Sequence, residues 1–232
     1  MSGAGTGSAG HRRLEVVAIV AAAMVSLFVV ARLAVAWPLA APWIVATAAA
    51  TGYLTADLVS GIVHWCFDTW GSEDTPILGR NFIAPFREHH RDALAITRHD
   101  FIKTNGNNCL AALPMLTAAC FMPTASTRGL FATAFLLFAS LGLLATNQIH
   151  QWAHAEHPPA VVRLLQRLHL ILPFEHHQRH HAPPHDTHYC ITTGWLNPLF
   201  GSLELHRRLE RGITVVRRRT LGTRVTAHAP KT

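Results

Sequence analysis

The chain alternates long apolar stretches with short segments crowded with histidine and arginine, and this alternation restricts its fold more than any single motif does. Such a stretch crosses the ~30 Å hydrocarbon core of a bilayer as an α-helix rising about 1.5 Å per residue. Spans are expected near residues 14–37, 43–63, 109–123 and 129–149. Half of the 232 residues are hydrophobic and 14% are charged, which suits one domain rather than several. The expected fold is therefore an all-α integral membrane protein of about four transmembrane helices.

The first run, Leu14 to Trp37, follows His11, Arg12 and Arg13 and a start rich in small residues, so 1–13 reads as a flexible N-terminus. Ala34 and Ala36 supply the small-x-small pattern of a cleavage site. The apolar core nevertheless exceeds the roughly 7 to 15 residues of a signal peptide, which favours a retained span. Pro38 and Pro42 mark a turn into the second run, Trp43 to Val63, which carries Asp57 and ends at His64. The polar segment from Trp65 to Asn108, with Phe82, Ile83, Phe86 and Phe101 interleaved, reads as a cap against the membrane surface. Pro123 and Gly129 divide the next apolar region into a second hairpin. Past Pro158 and Pro159, residues Val161, Leu164, Leu165, Leu168 and Leu172 recur near helical spacing with Arg163 and Arg167 off that face, as in an interfacial helix. The principal domain is expected over 14–206, followed by a basic, disordered tail over 207–232 that touches anionic lipid.

The formal charge of +7 does not indicate nucleic acid. Lys and Arg fall in the N-terminal tip, between Arg80 and Lys103, and from Arg163 onward, which is the distribution of cytoplasmic loops. Arg87, Arg98 and Lys103 serve either that orientation rule or a lipid phosphate. Cys66, Cys109, Cys120 and Cys190 form no CxxC pair, so free thiols are expected. Trp65, Trp70, Trp152 and Trp195 read as anchors at headgroup depth.

With the N-terminus inside, four crossings return the chain to the cytoplasm after the second and fourth spans. His64, His89 with His90, His150 with His154, and the 176–181 segment then share one membrane face. His64 and Asp68, and separately His150 and His154, are i, i+4 pairs that project from one helical side. His177, His180 and His181 follow the same rule at i, i+3 and i+4. These imidazoles exceed what one zinc ion takes, so a cap holding two metals with open positions fits better. Imidazole suits Fe, Zn, Cu and Ni alike and does not choose the element.

The plainer readings stand beside this one. His11, His206 and His228 fall outside these histidine spacings and read as structural or surface residues. His99, His157, His169, His176, His185 and His188 fall outside the repeated spacings and either ligate, orient ligands or take no part in the site. Asp68 is a ligand, a histidine-orienting group, or a loop ion pair with Arg87 or Arg98. Asp57, costly inside a span, marks either a function or a polar cavity.

The stretch DLVSGIVHWCFDT at 57–69, continuing as WGSEDTPILGRNFIAPFREHHRDALAITRHDFIKTNGNNCL, resembles the Kua/CarF-type lipid desaturase domain family, which includes plasmanylethanolamine desaturase. The resemblance resumes at TNQIHQWAH, 146–154, and at HHQRHHAPPHDTHYCITTGWLN, 176–197. It implies metal ligation by His64, His89, His90, His150, His154, His177, His180 and His181, with Asp68 at the acidic position in the catalytic site. It further implies a di-iron centre, O2 as co-substrate, a membrane phospholipid substrate, and an electron donor such as cytochrome b5 or ferredoxin with its reductase. The ITRHDFIKTNGNNC and APPHDTHYC details favour the ether-lipid branch, whose reaction introduces a vinyl ether. Acyl-lipid desaturation or hydroxylation is the alternative within the same chemistry, and membrane metal transport is the alternative outside it.

Overall fold

A backbone that enters a bilayer must satisfy its own N–H and C=O groups, and the described residues form helices and turns with no strand. The computed structural model describes residues 9–37 and 42–221. Four long helices carry the fold: α1 (Ala9–Ala36), α2 (Pro42–Thr69), α4 (Phe101–Phe121) and α5 (Thr127–His154). Between α2 and α4 lie a π-helical turn (Gly79–Ile83), α3 (Ala84–Arg91) and a 3-10 turn (Ala95–Arg98). After α5 come α6 (Ala160–Arg167), α7 (Phe174–His181), α8 (Asn197–Ser202) and α9 (Leu205–Leu221).

These helices outrun the apolar stretches that announce them. Helix α4 starts at Phe101 rather than 109 because the Asp100 carboxylate accepts the Lys103 N–H at 2.9 Å and caps it. Its early polar residues face α5 and bind there: Asn105 Nδ2 donates to Gln148 Oε1 at 3.1 Å, and Asn108 Nδ2 to the Leu143 carbonyl at 2.9 Å. Ser126 caps α5 by accepting from the Gly129 N–H. Residues 9–13, expected to be flexible, belong to α1, where Arg12 forms an ion pair with Asp100. Residues 207–221, expected to be a disordered tail, continue α9. Residues 1–8, the Pro38 turn, and 222–232 with His228 lie outside the described residues.

Helices α1 and α4 close over Ala18, Ala22 and Val29 from one side and Cys109, Leu116 and Ala119 from the other, joined by Leu137 of α5. Arg32, inside the apolar run, donates to the carbonyls of Ala119, Cys120 and Met122 and so satisfies the C-terminal end of α4. Helices α2 and α5 share the most extensive contact. A Cβ at Gly52 would stand 2.8 Å from the Ala139 N and Phe135 O atoms, so glycine permits this approach. The pairing sets the ends of α2 and α5, with His64 and His150, side by side.

Helices α1 and α5 are each long and apolar enough to cross a membrane. The outward side of α1 is apolar from Leu14 onward, with Val17, Val20, Met24, Leu27 and Phe28 exposed, as suits a helix facing lipid. Helix α6 exposes Val161, Leu164 and Leu168 and turns Val162 inward. Trp65 is not an interfacial anchor: it is buried, with Trp70 edge-on at 4.6 Å.

Candidate metal centre

Helical spacing places each pair of histidines, and the fold then collects the pairs. His64 comes from the last turns of α2, His89 and His90 from the end of α3, His150 and His154 from the end of α5, and His177, His180 and His181 from α7. All converge. Two groups have ligand atoms within 4.8 Å of one another: His89, His150, His154, His177 and His181 in the first, and His64, His89, His90 and His180 in the second. His89 belongs to both.

In the first group, the Nε2 atom of His177 lies 2.9 Å from those of His150 and His154 and 3.1 Å from that of His181. A neutral imidazole nitrogen carries either one proton or one lone pair, so it cannot satisfy three nitrogens by hydrogen bonding. Lone pairs converging on a cation are spaced this way: two ligands at right angles with bonds of about 2.1 Å stand roughly 3 Å apart. His89 supports the same conclusion, because both its ring nitrogens are buried without a hydrogen-bond partner. The residues present therefore fit bound metal.

The second group contains a carboxylate. Asp68 Oδ2 lies 3.3 Å from His64 Nε2, 3.2 Å from His90 Nε2 and 3.5 Å from His180 Nε2. Arg87 and Arg98 are not its partners. Arg87 instead donates to the Phe67, Trp70 and Gly71 carbonyls at the end of α2, and Arg98 pairs with Asp92. A phosphate-binding role for either would have to break these contacts.

Protonation favours ligation. Burial, followed by the neighbouring His150, holds the His89 imidazole well below its ordinary pKa, and burial with His150 and His154 does the same to His177. The neutral ring is the coordinating form. Two rings of the second group are also oriented through Nδ1: His64 donates to the Tyr189 carbonyl at 3.2 Å and His180 to the Thr187 carbonyl at 2.7 Å. Since a carbonyl only accepts, each Nδ1 carries the proton and each Nε2 keeps its lone pair for the centre.

Asp57 anchors the segment that follows the Tyr189 carbonyl. It is fully buried in α2, and its Oδ1 accepts the N–H groups of Thr192, Thr193 and Gly194 at 3.2, 2.7 and 2.9 Å, while Oδ2 accepts that of Leu196 at 3.1 Å. Four backbone donors surround one carboxylate, which fastens the loop following Tyr189 onto α2. Asn197 adds to this by binding both backbone groups of Cys190. On the opposite side, Gln151 Nε2 donates to the Ile96 and His99 carbonyls, each at 2.9 Å, and so ties the α3–α4 connection to α5. The roles of Asn197 and Gln151 were not apparent from spacing. Their signal was only their place within the motifs that bear the histidines.

None of His99, His157, His169, His176, His185 and His188 joins either group. His185 borders the second group with its ring 4.9 Å from that of His90, and His176 accepts from Asn197 instead. The four cysteines are free.

The pattern of the lipid desaturase domain matches residues 53–221, which includes every converging histidine and Asp57. The chain belongs to the lipid desaturase domain family. Within the family, a plasmanylethanolamine desaturase of Myxococcus xanthus is 47% identical over 205 residues, covering 88% of this chain and 72% of the relative. Plasmanylethanolamine desaturase 1 of Mus musculus is 50% identical over 169 residues, covering 68% of this chain and 61% of the relative. Fatty acid desaturase 4, chloroplastic, of Arabidopsis thaliana is 32% identical over 168 residues, covering 71% and 50%. No solved structure matches the chain. The match starts within α2 and ends at the last residue of α9.

Proposed function

We propose that this protein is a plasmanylethanolamine desaturase that turns the alkyl ether of its lipid into a vinyl ether with O2 as oxidant. The observation that carries the reading is a pair of imidazole groups sharing His89, in a chain 47% and 50% identical to two desaturases of that name. In this reading His150, His154, His177 and His181 would hold one iron, His64, His90 and His180 would hold another, and His89 is available to either. α1, α2, α4 and α5 are the four spans, and both termini and the centre lie on the cytoplasmic side.

Metals held by these residues would supply the activation of O2. As the C1–C2 double bond forms, two hydrogens leave the alkyl chain; with two electrons from a separate carrier and two protons, they reduce one O2 to two waters. The carrier is a small redox protein such as cytochrome b5 or a ferredoxin with its reductase. The chain's own residues keep the His89 and His177 imidazoles neutral, hold the His64 and His180 Nδ1 protons on the Tyr189 and Thr187 carbonyls, and place the Asp68 carboxylate beside three rings. Burial of the centre excludes bulk water from it.

Desaturation of an acyl chain is a second reading, favoured by the identity to Fatty acid desaturase 4. Metal transport fits poorly, because the imidazoles gather at one end of α2 and α5 rather than at mid-span. The test is mass spectrometry of lipids from cells supplied with alkyl ether lipid and expressing the protein or its His150→Ala variant. Acid-labile vinyl ethers from the first and none from the second are expected. Unsaturated acyl chains without vinyl ethers would favour the second reading.

A further inference from the structure

Two cavities lie on either side of the turn that follows α6. The first, about 360 Å³, is lined by Glu156 and Glu175 together with Arg163, Arg167 and the buried Gln166. The second, about 470 Å³, is an apolar groove between α2 and α5, lined by Ala49, Tyr53, Phe138, Gly142, Ala145 and Trp195. The turn between them is pinned from the groove side: Trp195 Nε1 donates to the His169 carbonyl at 2.7 Å, and the Tyr53 hydroxyl to the Leu170 carbonyl at 2.8 Å. His169 itself lines the polar cavity.

We propose that the polar cavity recognises the zwitterionic headgroup of a phospholipid bearing a primary ammonium, with Arg163 and Arg167 toward the phosphate and Glu156 and Glu175 toward the ammonium. The inference rests on the desaturase reading above and names the part of the substrate that this reading leaves unassigned.

Three observations carry it. Charges of both signs line one cavity, and among the described residues no ion pair joins any of these four side chains to another; Arg163 Nη1 instead donates to the Pro158 carbonyl. The cavity also adjoins the centre along the chain, since Ala155 follows His154 and Glu175 precedes His177 by two residues. A vinyl ether forms one glycerol unit from the phosphate, so the headgroup of such a substrate must bind close to the metals, whereas mid-chain chemistry sets no such condition. Finally, the exposed Val161, Leu164 and Leu168 of α6 place the cavity at interfacial depth. The groove lies deeper, because Ala145 precedes His150 by five residues, about 7.5 Å along α5. A lipid would therefore direct its chain into the groove and its headgroup outward.

Selectivity follows from hydrogen bonding. A primary ammonium donates to carboxylates, while a trimethylammonium has no N–H to donate. The test uses the full chain in nanodiscs containing equal amounts of alkyl-acyl phosphatidylethanolamine and its phosphatidylcholine analogue, with retained lipid read by native mass spectrometry. The unmodified protein should retain the ethanolamine lipid about tenfold over the choline lipid, the scale of one charge-assisted hydrogen bond. The Glu156→Gln/Glu175→Gln pair should bring the ratio near one at unchanged metal content. Arg167→Ala should weaken both lipids equally, and Glu175→Gln alone should give an intermediate ratio. A wild-type ratio near one, or an unchanged ratio in the double variant, overturns the proposal. A protein that prefers the ethanolamine lipid yet makes no vinyl ether refutes the reaction and leaves the headgroup site standing.

Discussion

The two imidazole groups are built differently. In the first, His150 with His154 and His177 with His181 are i, i+4 pairs on α5 and α7, and the nearest polar neighbours of their Nε2 atoms are one another, 2.9 to 3.2 Å apart. Two helix faces suffice to aim them. In the second, His64, His90 and His180 come from three elements and surround the Asp68 carboxylate, and two of them, His64 and His180, are oriented by the Tyr189 and Thr187 carbonyls. Its geometry therefore relies on contacts between segments more than a hundred residues apart, including those made by Asp57. The comparison teaches that the first group should withstand remote changes that disturb the second.

The largest effect is expected at the residue the groups share. Because His89 enters both, His89→Ala should bring metal content, measured by elemental analysis of purified protein, from the proposed two per chain toward zero and abolish turnover. Retention of both metals would remove His89 from the centre. His154→Ala and His180→Ala should each lose about one equivalent, from different groups, and the remaining metal should give a different spectroscopic signature in each variant. Identical signatures would erase the distinction between the groups.

Asp57→Asn should act at a distance. It weakens the four backbone contacts that hold the loop after Tyr189, so a loss of about 10- to 100-fold in affinity for the second metal is expected, with the first affected much less. Metal competition titrations would show this. Equal loss at both would mean that Asp57 supports the whole fold rather than one group. The smallest effect is expected from Gln151→Ala, which removes two contacts to the 96–99 turn; a loss of about 1 to 2 kcal/mol in stability is expected, read as a lower unfolding midpoint with two metals still bound.

Much of the centre was legible because its first rule is local. An i, i+4 pair points to one side of a helix whatever the rest of the chain does, so His150 with His154 and His177 with His181 could be matched before any fold was known. The long helices were equally readable, although their ends were not. Apolar runs mark where a helix meets lipid or core, while the polar turns of α4 and the extension of α9 depend on caps and partners that hydropathy does not see. Trp65 and Arg87 were misplaced for the same reason. Amphipathic residues near a span end are suited to the interface, and only the packing of Trp70 and the open carbonyls at the end of α2 drew them inward.

The sequence by itself determined an all-helical chain, which residues carry the imidazoles, and which of them share a helix face, because each follows from hydropathy or from the 3.6-residue period. Tertiary structure alone decided that the pairs sort into two groups, that His89 serves both, that Asp68 belongs to the second, and that Asp57 holds the loop following Tyr189, whose carbonyl orients His64. These last depend on how α2, α3, α5 and α7 meet, and that is set by close packing such as that at Gly52, between residues that no local period relates.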